Sequence, residues 1–451
     1  MNSHYPLKLI LLPMICAGCF FAQVGWLEGQ SVPQRFTRAR ISRLQTLAAQ
    51  GDSNAMARLG TCYWNGFGVT EDWTNAAVWF QKAVVAGNTS ACFLLGRCYA
   101  TGHGEPLNWH QAVDLFQRGA EINDKDSLRW LASCFAYGNG TNRNPTKALE
   151  LYQRAAAADD PLSFSLVGDC YAAGRGAPKN LTNAVAWYER GIVARDVNSV
   201  LKLGDLYLNG PPAIRNPAAA AECYRQGVVI RSPVAMRKLG ICFMTGAGVP
   251  RDDFRAVRFF EMGAAAGNYF CFYNAGYCYE NGGERLPVDA GKALDNYISG
   301  AKAGDVAAMF RLANCLENGL PGARPNLAQA FYWYTAAAKA GSIVAMYDLG
   351  ICCLRGRGVP RDDSAGVAWL NQSASRGYAP AIKVLANLSN SQQEPSETDA
   401  SLLAAMLIPT EEEEEEAQRE QQQYIFENHI IEQNNEFERE DEMRKNGGSD
   451  D

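Results

Sequence analysis

The sequence predicts an all-α protein, an α-solenoid of nine helix-turn-helix repeats of 36–37 residues with a capping helix at either end. Three observations carry that expectation. A small residue, usually the glycine of a Leu-Gly pair, recurs as Gly60, Gly96, Ala132, Gly168, Gly204, Gly240, Gly276, Ala313 and Gly350, at intervals of 36 residues six times and 37 twice. A second glycine follows six places later in all nine units, from Gly66 to Gly356. Between them a cysteine stands two places after the first mark in eight units, and an aromatic residue three places after it in seven.

Counted from that mark, a small residue stands five before, an apolar one just before, and apolar or aromatic ones two and three after, as in Ala55, Leu59, Cys62 and Tyr63. Steps of four, three and one lie along one helical stripe, the buried face of a helix A. Glycine within a helix is unfavourable by roughly 0.5–1 kcal/mol relative to alanine. Seven units accept it and two use alanine, so a second helix is expected to press on the bare backbone there. The later glycine is expected to end helix A at a positive φ. After a loop comes helix B, marked by a small residue and then bulk, as in Ala76 before Trp79-Phe80 and Ala184 before Trp187-Tyr188. It closes near Gly87, Gly267, Gly304, Gly341 and Gly377. Small facing large lets successive hairpins interlock.

The run Ala55-x-x-x-Leu-Gly-x-x-Tyr-x-x-Gly-x-Gly-Val-x-x-Asp-x-x-x-Ala-x-x-Trp-Phe-x-x-Ala-x-x-Gly87 resembles the Sel1-like repeat, a relative of the tetratricopeptide repeat. The resemblance covers residues 53 to about 390. Unit five departs, with Pro211-Pro212 in place of the second loop glycine. What the resemblance implies is a protein-binding adaptor or scaffold, with helix A lining a concave groove.

Residues 1–27 carry Lys8 and then an apolar run interrupted by Pro13 and Gln23, a targeting segment by composition. A cleaved signal peptide is favoured over an uncleaved anchor, and Cys16-Ala17-Gly18-Cys19 is faintly similar to a bacterial lipobox. Residues 28–52 form a linker and an N-terminal capping helix bearing Arg35, Arg38, Arg40 and Arg43. The nine repeats occupy 53–378, and 379–392 supply a closing helix. Residues 393–451 read as a linker and an acidic tail, disordered or partly helical. Between 410 and 451 stand 16 acidic and 4 basic residues, a net −12 that leaves +6 on the rest of a chain whose total is −6.

Eight of the fourteen cysteines share one helix A position. Helices pack roughly 8–10 Å apart, too far for a disulfide ladder, so these thiols are expected to be small apolar filler. Cysteine-rich members of the resembled family bridge from helix B to a cysteine eight residues on. Here Cys92 would need a cysteine at Val84, and Cys271 one at Gly263. Export to the periplasm, envelope or medium is expected from residues 1–27. The unpaired cysteines keep a cytoplasmic location as the alternative.

The chemistry-bearing residues are sparse. His103 and His110 flank one loop and are expected at the surface. Ser199-Val200-Leu201-Lys202 matches a Ser-x-x-Lys spacing without a Lys-Thr-Gly partner. The Gly-x-Gly pairs follow helices rather than strands, and the +6 is thinly spread, which disfavours phosphate and nucleic-acid binding. No enzyme activity, cofactor or metal is therefore expected. Proteins or peptides are the expected partners, with membrane contact only through 1–27. A cell-wall or β-lactam hydrolase is the alternative, implied by the resemblance.

Repeats show function where they vary. Two places before the mark stand Arg58, Trp130, Lys202, Lys238 and Arg311, and one after it Arg97 and Tyr277. These seven are the expected groove residues, the aromatics as anchors and the cations meeting a partner's carboxylates.

Overall fold

The computed structural model describes residues 38–319 and 325–391. The expected targeting segment, the lipobox-like cysteines and the acidic tail lie outside them. Twenty α-helices run through the described residues, and they divide between two compact units, one ending at Asp159 and one beginning at Asp160.

In the first unit, helix Arg38–Ala49 precedes three hairpins: Ser53–Asn65 with Trp73–Val85, Ala91–Thr101 with Trp109–Glu121, and Lys125–Tyr137 with Pro145–Ala157. The second unit holds six more. They are Pro161–Ala173 with Leu181–Val193, Val197–Asn209 with Pro217–Val229, Pro233–Thr245 with Asp253–Ala265, Phe270–Asn281 with Ala290–Lys302, Val306–Asn318 with Leu327–Lys339, and Ile343–Arg355 with Asp363–Ser375. Helix Ala379–Ser391 follows. The first member of each pair is helix A and the second helix B, and the repeats are numbered one to nine along the chain.

The residue before helix B closes each hairpin with two hydrogen bonds. Asp72, Asn108, Asn144, Asn180, Asn216, Asp252, Asp289, Asn326 and Asp362 each accept on the side chain from a backbone N–H in the first turn of their own helix B. Their backbone N–H donates back to helix A, as Asp72 does to the Tyr63 carbonyl at 2.9 Å and Asp362 to that of Cys353 at 2.9 Å. Each side-chain cap is worth about 1 kcal/mol, and the returning bond sets where helix B starts.

Helix A ends as expected at a left-handed glycine in six repeats, at Gly66, Gly102, Gly138, Gly174, Gly246 and Gly356. Gly210 does not follow, with φ −69° and ψ 177°. The ring of Pro211 disfavours α-type backbone at the residue before it and pushes Gly210 into an extended conformation.

The glycine at the mark has the reason expected of it. An added Cβ would stand 2.6 Å from the Phe80 ring at Gly60, 2.6 Å from Phe116 at Gly96, 2.3 Å from Tyr188 at Gly168 and 2.6 Å from Tyr297 at Gly276. In six hairpins a ring thus presses on the bare helix A backbone, and in the ninth Leu370 takes that place at Gly350. Helix B returns the arrangement toward the next repeat: at Gly263 a Cβ would be 2.5 Å from Cys271 Sγ, and at Gly300 2.7 Å from Ala308 Cβ. The core is therefore a chain of local close approaches, which is why small residues recur with the same spacing as large ones.

Gly276→Val is expected to lower stability by about 2–3 kcal/mol through overpacking, because the Tyr297 ring is held in place by its own hydroxyl, 2.6 Å from Glu280 Oε2. Gly291→Ala, whose nearest neighbour is Asp289 Oδ1 at 3.5 Å, should be neutral or stabilising by up to about 0.5 kcal/mol. Urea unfolding of the two variants side by side checks the contrast.

Candidate functional site on the helix A face

The expected groove residues fall into two groups. In the first unit Arg58 is exposed, and Arg97 and Trp130 are half-buried. The Arg97 guanidinium lies over Trp64 at 4.3 Å and near Phe93 at 5.7 Å. Trp130 packs on Phe116 at 5.6 Å between ring centres.

In the second unit the cations do meet carboxylates, but the chain's own. Lys202 Nζ is 3.6 Å from Asp169 and Lys238 Nζ 2.9 Å from Asp205, the Lys238 side chain being 13% exposed. Arg311 is buried, its Nη2 2.5 Å from Glu280 Oε1 with the side chain 7% exposed. That corrects the expectation of an open Arg311. Glu280 reaches toward it from the preceding helix A and draws it inward, and burial is tolerated because the charge is paired. Tyr277 is half-buried, and Asn274, two before the mark in the same repeat, is buried.

A repeating triad emerges that the expectation missed. The helix B tyrosine donates to an acidic residue on its own helix A, and a cation from the next repeat pairs with the same acid. Tyr188, Asp169 and Lys202 form one triad, with the phenol 2.6 Å from Asp169 Oδ1. Tyr224, Asp205 and Lys238 form another, again at 2.6 Å. Tyr297, Glu280 and Arg311 follow, then Tyr334, Glu317 and Arg357, with the phenol at 2.7 Å and the ion pair at 3.2 Å. Burial above all, and then the adjoining carboxylate, holds the Tyr188 and Tyr224 phenols above their usual range.

The chemistry-bearing residues take structural roles. Ser199 is buried, its hydroxyl donating to Asp196 at 2.6 Å, while Lys202 pairs with Asp169, so the Ser-x-x-Lys spacing builds no nucleophile and base in contact. His103 corrects the surface expectation: it is half-buried, 4.3 Å edge-on from Trp73, whereas His110 is exposed. All twelve cysteines among the described residues are free and buried. No group of three or more His, Cys, Asp or Glu suited to a metal occurs among the described residues. Nor is any described helix long and apolar enough to cross a membrane.

Successive helical hairpins, with no strand among the described residues, define a helical-repeat protein, the class built to present one face of successive helices. The chain belongs to the Sel1 repeat family. The family model matches nine times, at residues 53–88, 89–124, 125–160, 165–192, 198–227, 233–268, 273–305, 306–342 and 343–378. Among solved structures, the chain is similar to c5321, described as a protective antigen present in uropathogenic Escherichia coli strains displaying an SLR fold. The two are 26% identical over 76% of this chain and 80% of that one, with a TM-score of 0.55. A Sel1 repeat protein from Oxalobacter formigenes shares the fold at 22% identity, covering 70% of this chain and 94% of that one, with a TM-score of 0.55. No curated protein matches the chain.

Proposed function

We propose that this protein is a non-enzymatic scaffold that holds proteins or peptides on the helix A face of its repeats, and that it works at the cell envelope. Family membership supports the scaffold reading. The observation that carries the choice of face is the spread of non-repeating aromatic and cationic residues on helix A of the first unit: Arg58, Arg97 and Trp130 keep solvent access where a repeat built only for packing has no use for them. The envelope location rests on the apolar segment 1–27 and on the similarity to a protein described as a protective antigen.

The unpaired cysteines, which spoke for the cytoplasm, carry less weight against export. Burial pushes the Cys98 and Cys134 thiols up to about 12, so the thiolate that oxidation requires is scarce at neutral pH.

A photo-crosslinking residue placed at Arg58 or Thr61 in living cells is expected to capture protein partners. The same residue at Val193 or Val229, exposed on helix B, should capture few. Equal capture from both faces would refute the choice of helix A. Sequencing the N-terminus of the mature chain after cell fractionation tests the location, and an intact Met1 in the cytosolic fraction would overturn it.

A further inference from the structure

The triads make repeat two stand out. Each of them sets a tyrosine, an acid and a cation so that charge is balanced inside the chain. At the places of the triads of repeats four and five, repeat two has Phe116 and Arg97, and the helix A that follows it has Trp130. Arg97 stands where Asp169 and Asp205 stand in their repeats, so the sign of the charge is reversed. Phe116 has no hydroxyl and Trp130 no charge.

Among the described residues nothing balances Arg97. No side chain accepts a hydrogen bond from its guanidinium, and its Nε is buried without an acceptor. Its two Nη groups do not share that burial, and the residue remains part-exposed. Asp126, the acid that acts on it through space, is engaged 2.6 Å away by Arg129. Stacking on Trp64 holds the guanidinium plane, and burial pulls its pKa below the usual arginine range. A partly desolvated guanidinium without a counter-ion is unfavourable until an anion arrives, and its planar pair of terminal nitrogens fits a carboxylate.

We propose that Arg97 binds the carboxylate of a partner peptide, with an apolar side chain next to that carboxylate resting on Trp130. A carboxylate at this place supplies the balance that repeats four, five, seven and eight achieve internally, and the part-exposed Trp130, packed on Phe93 and backed by the buried Phe116, gives its neighbour an apolar surface. The inference rests on the reading of the helix A face as the binding face, and it names the chemistry of what binds there.

Selection of a random decapeptide phage library on the purified full chain tests it, with Arg97→Gln and Arg97→Lys selected in parallel and their helicity and melting compared with the parent. The parent is expected to enrich peptides bearing Asp or Glu beside a large apolar residue. Resynthesised with the amide in place of that acid, they should bind at least tenfold more weakly. Arg97→Gln should lose the same factor for the acidic peptide and nothing further for the amide. Arg97→Lys, which keeps the charge without the fork, should fall between. Making each peptide with a free or an amidated C-terminus shows whether a side-chain or a terminal carboxylate is held. Enriched peptides without acids, or affinities within twofold in Arg97→Gln, would overturn the assignment to Arg97 and leave the helix A face standing if crosslinks at Arg58 persist. Absence of any enriched peptide on the folded parent would overturn both.

Discussion

Arg311→Met is expected to destabilise the seventh and eighth repeats by about 3 kcal/mol, the low end of the range for breaking a buried ion pair from one side. The side chain is 7% exposed and its partner Glu280 25% exposed, so the carboxylate left behind regains only part of its hydration. Glu280 would still accept from the Tyr297 hydroxyl at 2.6 Å, which is why the upper end of the range is not expected. Replacing the acid as well, as Arg311→Met with Glu280→Gln, removes the stranded charge while keeping an acceptor for Tyr297. More than half of the loss should return. Arg361→Met is the contrast, since Arg361 and Asp363 are 65% and 59% exposed and such surface pairs contribute about 0–1 kcal/mol. Stacked repeats open locally, so hydrogen exchange of Phe270–Asn281 and Val306–Asn318 is the measurement. Equal losses from Arg311→Met in the parent and Glu280→Gln backgrounds would show that the pair is not coupled.

The hairpins are legible in the sequence because one geometric need, bulk from helix B pressing on a small residue of helix A, recurs with the same spacing, as a ring on bare glycine in six repeats and as Leu370 on Gly350 in the ninth. Gly60 with Phe80 and Gly168 with Tyr188 are two instances. The triads are less legible, although their signal is there. Where the helix B ring is Tyr152, Tyr188, Tyr224, Tyr297 or Tyr334, its helix A offers an acceptor: Ser133, Asp169, Asp205, Glu280, or Asn314 with Glu317. Where the ring is Phe80, Phe116 or Phe260, the place one after the mark holds Thr61, Arg97 or Ile241. Pairing tyrosine with an acceptor across some twenty residues was the missing step, because a buried phenol must find a partner. The burial of Arg311 is hidden for the same reason: it depends on Glu280, which sits four places after the mark rather than one. Of the first unit's aromatic residues Trp130 alone is an expected anchor; Trp64, which stacks on Arg97, stands four places after the mark, the place that Glu280 and Glu317 hold in their repeats.

Raising the pH is expected to unfold the protein at about pH 10, a consequence of the cysteine positions. Burial pushes the thiols of Cys98, Cys134, Cys223, Cys271, Cys278 and Cys315 up to about 12 and those of Cys170 and Cys242 to about 11, from an ordinary 9.0. These groups are neutral when protonated, so their folded pKa lies above the unfolded one. Below pH 9 both states hold the protons and the stability contributed is complete. Above it the unfolded chain releases protons that the folded chain keeps, and stability falls by about 1.4 kcal/mol per thiol for each further pH unit. Four such thiols already remove about 5–6 kcal/mol by pH 10, comparable to the whole stability of an ordinary domain. The buried phenols of Tyr188, Tyr224 and Tyr334, held high by burial and their acid partners, extend the same trend above pH 10. Circular dichroism against pH should show helicity lost near that value, with the thiols becoming reactive toward a disulfide reagent in the same transition. A variant with Cys98, Cys134, Cys278 and Cys315 all changed to alanine should hold its helicity to higher pH despite its looser core. Were the parent and this variant to unfold at the same pH, thiol ionisation would not be what limits the fold.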